Sequence, residues 1–396
     1  MAGERAGQWN AGGPMSEPGV AARRLAIEAL VRIERDDAYA NLALRPLLDR
    51  SGLEERDRHL VTELVYGVTR MRRALDLRVD RYLSSDPPAV ARAALRIGAY
   101  QLAEMGMAPH AAVSPVVSAV PQRLRGLVNA VLRRVATGPE PDWPDDATRR
   151  SYPGWIHDRL VADLGAQDAG DAMDAMNTAH GATVREDGYT QDSASQWVAA
   201  FVGAGPGDVV ADVCAAPGGK ATALAAAGAS VIAGDLRPSR VRLTASNVAR
   251  TGQKLLVIGA DATAPPLRPG AFDRVLVDAP CSGLGVLHRR ADARWRLGPE
   301  AVDRLAELQL RILRAAVGLV RPGGTLIYSV CTLTRAETLG VAESLVAEAG
   351  TRLTAVAPPG PPWIDWGMGG LLLPQAEGTD GMAVFGWQVA QIASAE

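Results

Sequence analysis

The spacing of apolar residues changes once along the chain, near Val184, and this change limits the possible folds more than any other feature. Before it, apolar residues recur at helical spacing, as at Leu60, Leu64 and Val68. After it, short apolar runs such as VVADV and VIAGD alternate with amphipathic segments such as SRVRLTASNVAR. Such runs are typical of strands covered on both faces, so they predict a parallel sheet between layers of helices. The sequence therefore predicts an all-helical domain followed by a doubly wound α/β domain, which binds ligands at the carboxyl ends of its strands.

The domain boundaries follow from local composition. We predict a disordered tail over residues 1–20, which are rich in glycine and lack an apolar run. An all-helical domain of about five to seven helices is predicted over residues 21–137. Residues 138–183 include TGPEPDWPDDATRR, with three prolines and four acids, and are predicted to be a linker with a short helical segment. Residues 184–396 are predicted to form the α/β domain.

Composition excludes several classes of protein. With 47% apolar and 22% charged residues, the chain can form packed cores. No segment offers about 18 uninterrupted apolar residues, and the N-terminus lacks the apolar centre of a signal peptide, so we expect neither a membrane span nor secretion. The three cysteines, Cys214, Cys281 and Cys331, lie far apart and form no CxxC pair. This spacing predicts neither a disulfide framework nor a metal site, and it fits a reducing cytoplasm.

Two segments concentrate positive charge, although the net charge is only −2. PQRLRGLVNAVLRRVA carries four arginines and no acid, and HRRADARWR carries four more. Each could lie along a phosphate backbone, or could be a solvated face in an arginine-rich composition, and charge alone leaves both interpretations open. The residues are Arg123, Arg125, Arg133 and Arg134 in the first segment and Arg289, Arg290, Arg294 and Arg296 in the second.

A glycine-rich turn, DVCAAPGGKATAL, joins the first predicted strand of the α/β domain to a helix. Such a turn presents backbone N–H groups and a positive helix end, which suit a phosphate or a carboxylate. The dinucleotide pattern GxGxxG is absent, and GxxxxGK[ST] fails because Cys214 replaces its first glycine and Ala221 follows Lys220. The remaining interpretation is a ligand with a carboxylate and no phosphate, such as the methionine end of S-adenosylmethionine.

Aspartates close the next three predicted strands. Asp235 ends the second strand, where an acid can accept both ribose hydroxyls; Asp261 ends the third, beside the expected adenine; and Asp278 ends the fourth. Any one of them could instead be a helix cap or a turn residue. A series of three on one edge of the sheet favours a nucleoside ligand.

A thiol occupies the position where methyltransferases that act on amines commonly carry an aromatic residue. The fourth strand ends in Asp278, Ala279, Pro280 and Cys281, in place of an [ND]PP[YF] motif. A thiol suits an atom without a usable lone pair, above all C5 of a pyrimidine, which becomes nucleophilic once a thiolate adds at C6. Asp278 could hold the ring nitrogen as charge develops there. Cys281 and Cys331 both follow strand ends, and these patterns do not rank them, whereas Cys214 is expected to be a small core side chain.

The motifs together resemble a known family over residues 21–396: the bacterial 16S ribosomal RNA cytosine-5 methyltransferases of the RsmB (Sun) type. The similar stretches include DRHLVTELVYGVTR, TQDSASQ, DVCAAPGGKATALA, DAPCSGLGVLHRRADARWR, YSVCTLTRAET and LLLPQAEGTDGM. The resemblance implies a NusB-like helical domain, a Rossmann-like methyltransferase domain, S-adenosylmethionine as cofactor and RNA as partner. It further implies that Cys331 is the nucleophile, that Cys281 helps to release the product, and that Asp278 belongs to both the catalytic and the cofactor site. The remaining cofactor residues that it implies are Cys214, Ala215, Ala216, Pro217, Gly218, Gly219, Lys220, Asp235 and Asp261.

One segment departs from the family. Members usually carry a subdomain with an Arg-Val-Asn strand motif that helps to hold RNA, whereas here only a short segment joins Tyr152 to Gln191, and it lacks that motif. The sequence therefore leaves two alternatives to the enzyme. One is a protein that binds RNA and S-adenosylmethionine but has lost activity. The other is a helical RNA-binding adaptor fused to a structural α/β domain, which leaves the aspartates at the strand ends without a purpose.

Overall fold

The computed structural model describes residues 19–179 and 181–391, and the chain divides into two compact units between Ser151 and Tyr152. Residues 1–18 of the predicted tail lie outside the described residues. Val20, which the prediction included in the tail, is the first residue of a helix. No helix in the described part of the chain is both long and apolar enough to cross a lipid bilayer.

The first unit is all-helical over its described residues, in agreement with its helical spacing of apolar residues. Leu64, Val68 and Ile97 are buried on the inner faces of their helices, and each such side chain contributes roughly 1.5–3 kcal/mol by leaving water. Gly98 lets two helices approach closely, because a Cβ there would lie 2.3 Å from a methyl carbon of Leu132. The helices are α1 (Val20–Arg35), α2 (Ala40–Arg50), α3 (Glu55–Arg70), α4 (Arg72–Asp80), α5 (Ala89–Ala103), α6 (Pro109–Ala119), α7 (Gln122–Thr137) and α8 (Asp146–Arg149).

The second unit alternates strands and helices. Its helices are α9 (Gly154–Leu164), α10 (Ala166–Ala175), α11 (Ser193–Val202), α12 (Gly219–Ala226), α13 (Pro238–Thr251), α14 (Ala293–Arg296), α15 (Glu300–Val317), α16 (Leu339–Ala349) and α17 (Pro374–Glu377). Its strands are β1 (Thr183–Val184), β2 (Thr190–Gln191), β3 (Val209–Asp212), β4 (Ser230–Asp235), β5 (Leu256–Gly259), β6 (Phe272–Asp278), β7 (Val320–Val330), β8 (Leu353–Ala355), β9 (Ile364–Trp366), β10 (Gly369–Leu372) and β11 (Met382–Val389).

Within residues 181–391, nine strands form one sheet in the order β5-β4-β3-β6-β7-β11-β10-β9, with β8 paired to β11. The strands from β3 to β7 are parallel, so their carboxyl ends meet at one edge of the sheet, which we call the carboxyl edge. The prediction of a parallel sheet is wrong for the C-terminal part, because β8, β9, β10 and β11 pair antiparallel. Short connections allow antiparallel pairing, whereas parallel strands need a crossover such as a helix.

The predicted linker over residues 138–183 is divided differently in the structure. Its first part, with α8, belongs to the helical unit, whereas α9 and α10 pack into the core of the second unit. Ile156 and Leu160 are fully buried there, and the Tyr152 hydroxyl donates a hydrogen bond to the Met173 carbonyl oxygen at 3.0 Å. The second unit therefore begins about thirty residues earlier than the change in apolar spacing indicates.

Candidate active site

The glycine-rich turn forms a tight loop between β3 and α12, which we call the cofactor loop (residues 213–219). Gly218 has φ +103°, a conformation that side chains with a Cβ rarely adopt, and it caps the N-terminus of α12. A Cβ on Gly219 would lie 3.0 Å from Gln191 Nε2, so the second glycine is needed for close packing. The loop is anchored to the sheet, because the Ala215 N–H donates to the Gly234 carbonyl oxygen at 2.8 Å.

A short hairpin, β1–β2, holds the cofactor loop from outside, and sequence patterns did not indicate it. Arg185 donates to the Gly219 carbonyl oxygen at 2.5 Å and to Thr222 Oγ1 at 3.0 Å, and it also bonds to Gln191 Oε1 at 2.8 Å. The Tyr189 ring lies under the Arg185 guanidinium at 5.0 Å. The hairpin lies in the short segment that stands where relatives are expected to carry their RNA-binding subdomain.

Asp212 provides an unpaired buried acceptor at the start of the cofactor loop. Its Oδ1 accepts the Cys214 N–H at 3.4 Å, but Oδ2 has no partner among the described residues. Burial raises the pKa of Asp212 to about 7. A carboxylate oxygen buried beside a glycine-rich loop fits a ligand that supplies a donor, such as the ammonium of the methionine end of S-adenosylmethionine.

The aspartates predicted at strand ends lie along the carboxyl edge. Asp235 ends β4, is buried, and pairs with Arg240 at 3.1 Å. Asp261 lies just beyond β5 and is exposed, and hydrogen bonds from the Thr263 N–H and hydroxyl lower its pKa. Because β4 and β5 are neighbours in the sheet, these acids lie at adjacent strand ends, as expected for contacts to a nucleoside.

The buried Lys220 and the half-buried Asp278 form an ion pair beside this loop. Lys220 Nζ lies 2.8 Å from Asp278 Oδ2, and the Ser329 hydroxyl donates to Asp278 Oδ1 at 3.1 Å. Burial alone would lower the pKa of Lys220, but the Asp278 carboxylate outweighs it and the pKa is raised. The chain has only two lysines, and the ion pair explains why one of them is buried here.

The two cysteines predicted to be catalytic lie together at the ends of β6 and β7. Their sulfur atoms are 3.4 Å apart, and both side chains are partly exposed. The Cys281 thiol is the donor of a hydrogen bond to the Cys331 sulfur. This bond lowers the pKa of Cys331 and raises the pKa of Cys281. We call this arrangement the thiol pair.

The surroundings of the thiol pair distinguish its members. The hydrogen bond from Cys281 is the main cause of the lowered Cys331 pKa; the Arg290 cation lowers this pKa further, whereas burial and the Asp278 and Asp380 carboxylates raise it. The buried Glu337 carboxylate further raises the pKa of Cys281. Cys331 is therefore the member that more readily forms a thiolate, and a thiolate is the nucleophilic form. Cys214 packs against the apolar core, and burial raises its pKa, in keeping with a structural side chain.

The loop after β10 supports the site through Asp380. This fully buried carboxylate forms two hydrogen bonds with Arg289 and lies 3.4 Å from His288 Nε2. Its backbone N–H donates to Asp192, the N-cap of α11, at 3.1 Å. Burial raises the pKa of Asp380 to about 6, although Arg289 opposes the shift. The motifs TQDSASQ and GTDGM, which are distant in sequence, are thus joined directly.

The predicted phosphate contacts fall into different environments. Arg294 is fully buried: it donates to Asn177 Oδ1 at 3.0 Å and stacks on Tyr152 at 4.0 Å, so its predicted contact with RNA is wrong. Its neighbours Arg289 and Arg290 are exposed. Only three residues lie between Arg290 and Arg294, and only the fold decides which of the two arginines faces solvent.

On α7, Arg123, Arg133 and Arg134 project from the exposed side of the helix, which we call the basic face. The opposite side is apolar and buried. Arg125 is exposed too, but its guanidinium turns back to the Val120 carbonyl oxygen at 3.3 Å. The helix contains no acid that could neutralise this face.

Among residues 19–179 and 181–391, no group of three or more His, Cys, Asp or Glu side chains is arranged to hold a metal ion.

Comparison with known proteins adds the family. A model described as 16S rRNA methyltransferase RsmB/F matches residues 200–386, and a NusB family model matches residues 20–137. Ribosomal RNA small subunit methyltransferase B of Thermus thermophilus is 36% identical over 355 residues, covering 82% of this chain and 87% of that protein. The protein of the same name from Salmonella paratyphi C is 30% identical over 372 residues, covering 78% and 86%. The crystal structure of PH0851 has the same fold, with a TM-score of 0.74 at 20% identity over 94% of this chain and 99% of that one.

These matches confirm the predicted fold, a NusB-like helical domain followed by a Rossmann-like methyltransferase domain, and the predicted cofactor, S-adenosylmethionine. They also agree with the glycine-rich cofactor loop and the unpaired Asp212 acceptor beside it. The chain belongs to the RsmB/F family of S-adenosylmethionine-dependent methyltransferases.

Proposed function

We propose that this enzyme transfers a methyl group to C5 of a cytosine in small-subunit ribosomal RNA, through a transient bond between the Cys331 sulfur and C6 of the base. The relatives named above methylate small-subunit ribosomal RNA, according to their names. The observation that carries the proposal is the thiol pair, with sulfur atoms 3.4 Å apart at the carboxyl edge beside the Lys220–Asp278 ion pair.

The reaction begins at Cys331. Its thiolate adds to C6, so that a sulfur electron pair forms the C–S bond and the C5–C6 π electrons move towards C5 and the ring. Asp278, which bonds to Lys220 and Ser329, would share a proton with the ring nitrogen, because negative charge develops there and a carboxylate without a proton would repel it. S-adenosylmethionine supplies the methyl group that C5 then accepts.

Release needs a second group. The C5 proton leaves to a base, its bonding electrons re-form the C5–C6 double bond, and the C6–S electron pair returns to the Cys331 sulfur. Cys281 lies within reach of that sulfur, and we assign to it assistance in this elimination. The lower pKa of Cys331 supports this division of roles, which the sequence patterns alone left open.

RNA binding must bring a buried base to this edge. A nucleotide turned out of its stack could reach the thiol pair, as in other enzymes that act on bases. The basic face of α7 and the exposed Arg289 and Arg290 would contact phosphates, which positions RNA without reading its sequence. The shortened segment between Tyr152 and Gln191 lacks the RNA contacts expected from the missing subdomain. These arginines would therefore contribute a larger share of the affinity for RNA.

Transfer of labelled methyl from S-adenosylmethionine to unmodified small-subunit RNA tests the proposal. We expect label in 5-methylcytosine at one position, and the same position should lose its modification in cells that lack the gene. Binding of both S-adenosylmethionine and RNA without any transfer, to free RNA or to assembling subunits, would support instead the inactive binding protein.

A further inference from the structure

One buried carboxylate joins the two loops that carry the thiol pair. Glu337 lies in the turn between β7 and α16 and is fully buried. Its Oε1 accepts from the Ser282 N–H at 2.8 Å and from Gln309 Nε2 at 3.1 Å. Its Oε2 accepts from the hydroxyls of Ser282, Thr332 and Thr334 at 2.5, 3.2 and 3.1 Å. The Ser282 and Thr332 hydroxyls also contact each other, so one of them donates to the other, and four donors remain for the roughly four acceptor sites of an ionised carboxylate.

Two of these donors are the chain neighbours of the thiols. Ser282 directly follows Cys281, and Thr332 directly follows Cys331. The hydroxyls of Ser282 and Thr332 also lie 2.9 Å from each other. One side chain is therefore bonded to both backbone segments from which the sulfur atoms project, and this fixes the distance between those segments.

Surrounding side chains hold the carboxylate itself in place. Gln309 of α15 donates to the Pro280 carbonyl oxygen at 2.9 Å as well as to Glu337. The Tyr328 hydroxyl lies 2.9 Å from Gln309 Oε1 and 2.6 Å from the Glu337 carbonyl oxygen. All of these side chains are buried, so water cannot replace the bonds without opening the core.

We propose that Glu337 is a positioning residue that holds the Cys281 thiol within reach of the Cys331 sulfur, so that both act on one base. This inference rests on the proposed function and deepens it, because it explains how two thiols on separate loops serve successive steps. Glu337 reaches the reacting atoms only through Ser282 and Thr332. Its negative charge also helps to keep Cys281 protonated while Cys331 attacks.

The first test measures the separation of the thiols without RNA. Dibromobimane becomes strongly fluorescent when its two arms join two neighbouring thiols, so it reports on the thiol pair directly. The test variant is Glu337→Gln, which keeps the shape and removes the charge. The matched control is Glu343→Gln, an exposed glutamate on α16 that pairs with Arg335. We expect strong fluorescence in the wild type and the control, none in Cys281→Ala, and a clear loss in Glu337→Gln.

The second test separates positioning from binding. In Glu337→Gln we expect kcat to fall about 100-fold, which is the loss typical of a catalytic group displaced by about 1 Å. The Kd for S-adenosylmethionine and the KM for RNA should stay within about twofold of the wild-type values. The pH profile of Cys281 alkylation by iodoacetamide, followed by peptide mass mapping, should move to lower pH. A residue that only stabilises the fold would leave that profile unmoved.

Ser282→Ala serves if Glu337→Gln does not fold, because it removes one hydroxyl bond and keeps the backbone bond to Glu337. It should show the same losses in smaller degree. Unchanged crosslinking and unchanged kcat in whichever variant folds would overturn the proposal. A wild-type protein that transfers no methyl group would contradict the proposed function, while the crosslinking experiment would still decide whether Glu337 sets the thiol distance.

Discussion

The thiol pair and the basic face of α7 differ in how their side chains are held. At the carboxyl edge, Cys281 and Cys331 lie 3.4 Å apart, and the residues after them are bonded to one buried carboxylate. On α7, Arg123, Arg133 and Arg134 project into solvent and share no acid on their helix. The first arrangement concentrates the chemistry in a few fixed atoms, and the second spreads an attraction over several exposed charges. A single substitution should therefore stop turnover at the edge, whereas on α7 the loss should be gradual.

The largest effect is expected from Cys331→Ala. Loss of the nucleophile should reduce methyl transfer by at least about 10³-fold, because the later steps need the bond at C6. The measurement is label transfer to unmodified small-subunit RNA, with binding of S-adenosylmethionine as a control for folding. A stable covalent complex between this variant and RNA would reverse the roles of the two thiols.

Cys281→Ala should stop turnover at a later step. The Cys331 sulfur can still add to the base, but release is impaired, so protein and RNA should accumulate as a covalent complex. Denaturing gel electrophoresis of enzyme mixed with RNA and S-adenosylmethionine detects it, and the double variant Cys281→Ala/Cys331→Ala should form none. Normal turnover by Cys281→Ala would show that the pair does not act as a unit.

Burial at the carboxyl edge should make stability depend on pH through Asp212. Its folded pKa of about 7 lies above the ordinary value of 3.8, so the folded protein binds this proton more tightly than the unfolded chain. The corresponding stability is fully present below about pH 4 and is lost as pH rises through 7. Relative to Asp212→Asn, the wild type should lose at most about 4 kcal/mol of unfolding free energy between pH 4 and 8, measured by urea denaturation.

The exposed Asp261 supplies the control for that measurement. Its pKa is lowered by the Thr263 hydrogen bonds, so its contribution is present above the unfolded pKa and lost only at lower pH. Asp261→Asn should therefore leave the loss between pH 4 and 8 unchanged. An identical pH profile for wild type and Asp212→Asn would show that Asp212 is not titrated as its burial indicates.

Arg294 and Arg290 belong to the same motif, HRRADARWR, but Arg294 is buried and Arg290 is exposed. They therefore test the contrast between fixed and exposed side chains within one short segment. Arg294→Ala should lower the unfolding free energy by about 3 kcal/mol, since it removes buried hydrogen bonds and the stacking on Tyr152. Arg290→Ala should leave stability unchanged and weaken RNA binding. Thermal denaturation and filter binding measure the two effects, and the reverse assignment would contradict the burial of Arg294.

The smallest effect is expected on α7. Replacing Arg123, Arg133 and Arg134 by glutamine should weaken RNA binding by roughly tenfold at moderate salt. The slope of log affinity against log salt concentration should become shallower by about 0.7–0.9 for each phosphate that the variant no longer neutralises. Arg45→Gln, an exposed arginine beside Asp49 on α2, is the control. If the affinity of the wild type for RNA does not change between low and moderate salt, these arginines are not the main source of that affinity.

Much of the site could be predicted because it depends on local patterns. Apolar runs give strands, and the carboxyl ends of parallel strands meet at one edge, so Asp235, Asp261, Asp278, Cys281 and Cys331 could be assigned to that edge from their positions alone. The family resemblance added the ranking of the two cysteines. Their roles as catalytic or cofactor residues remain predictions that the experiments above address.

Other features could not be predicted, because they depend on partners distant in the chain. Arg185 reaches the cofactor loop from a hairpin whose two-residue strands give no periodic signal. Glu337 is one polar residue in the stretch YSVCTLTRAET, and nothing in its neighbours indicates that it accepts bonds from the loop after β6. The antiparallel direction of the strands near the C-terminus could not be predicted, because a buried apolar run does not show its direction.

The sequence by itself determined the order of the two domains, the edge of the sheet that carries the chemistry, and the residue types available there. It could do so because periodicity and strand-end position are properties of short segments. Only the tertiary structure decided the 3.4 Å between the sulfur atoms, the hydrogen bond from Cys281 that favours the Cys331 thiolate, and the burial of Arg294 instead of its neighbour. Distances and dielectric surroundings depend on segments that meet only after folding, and these set the pKa and reach of each side chain.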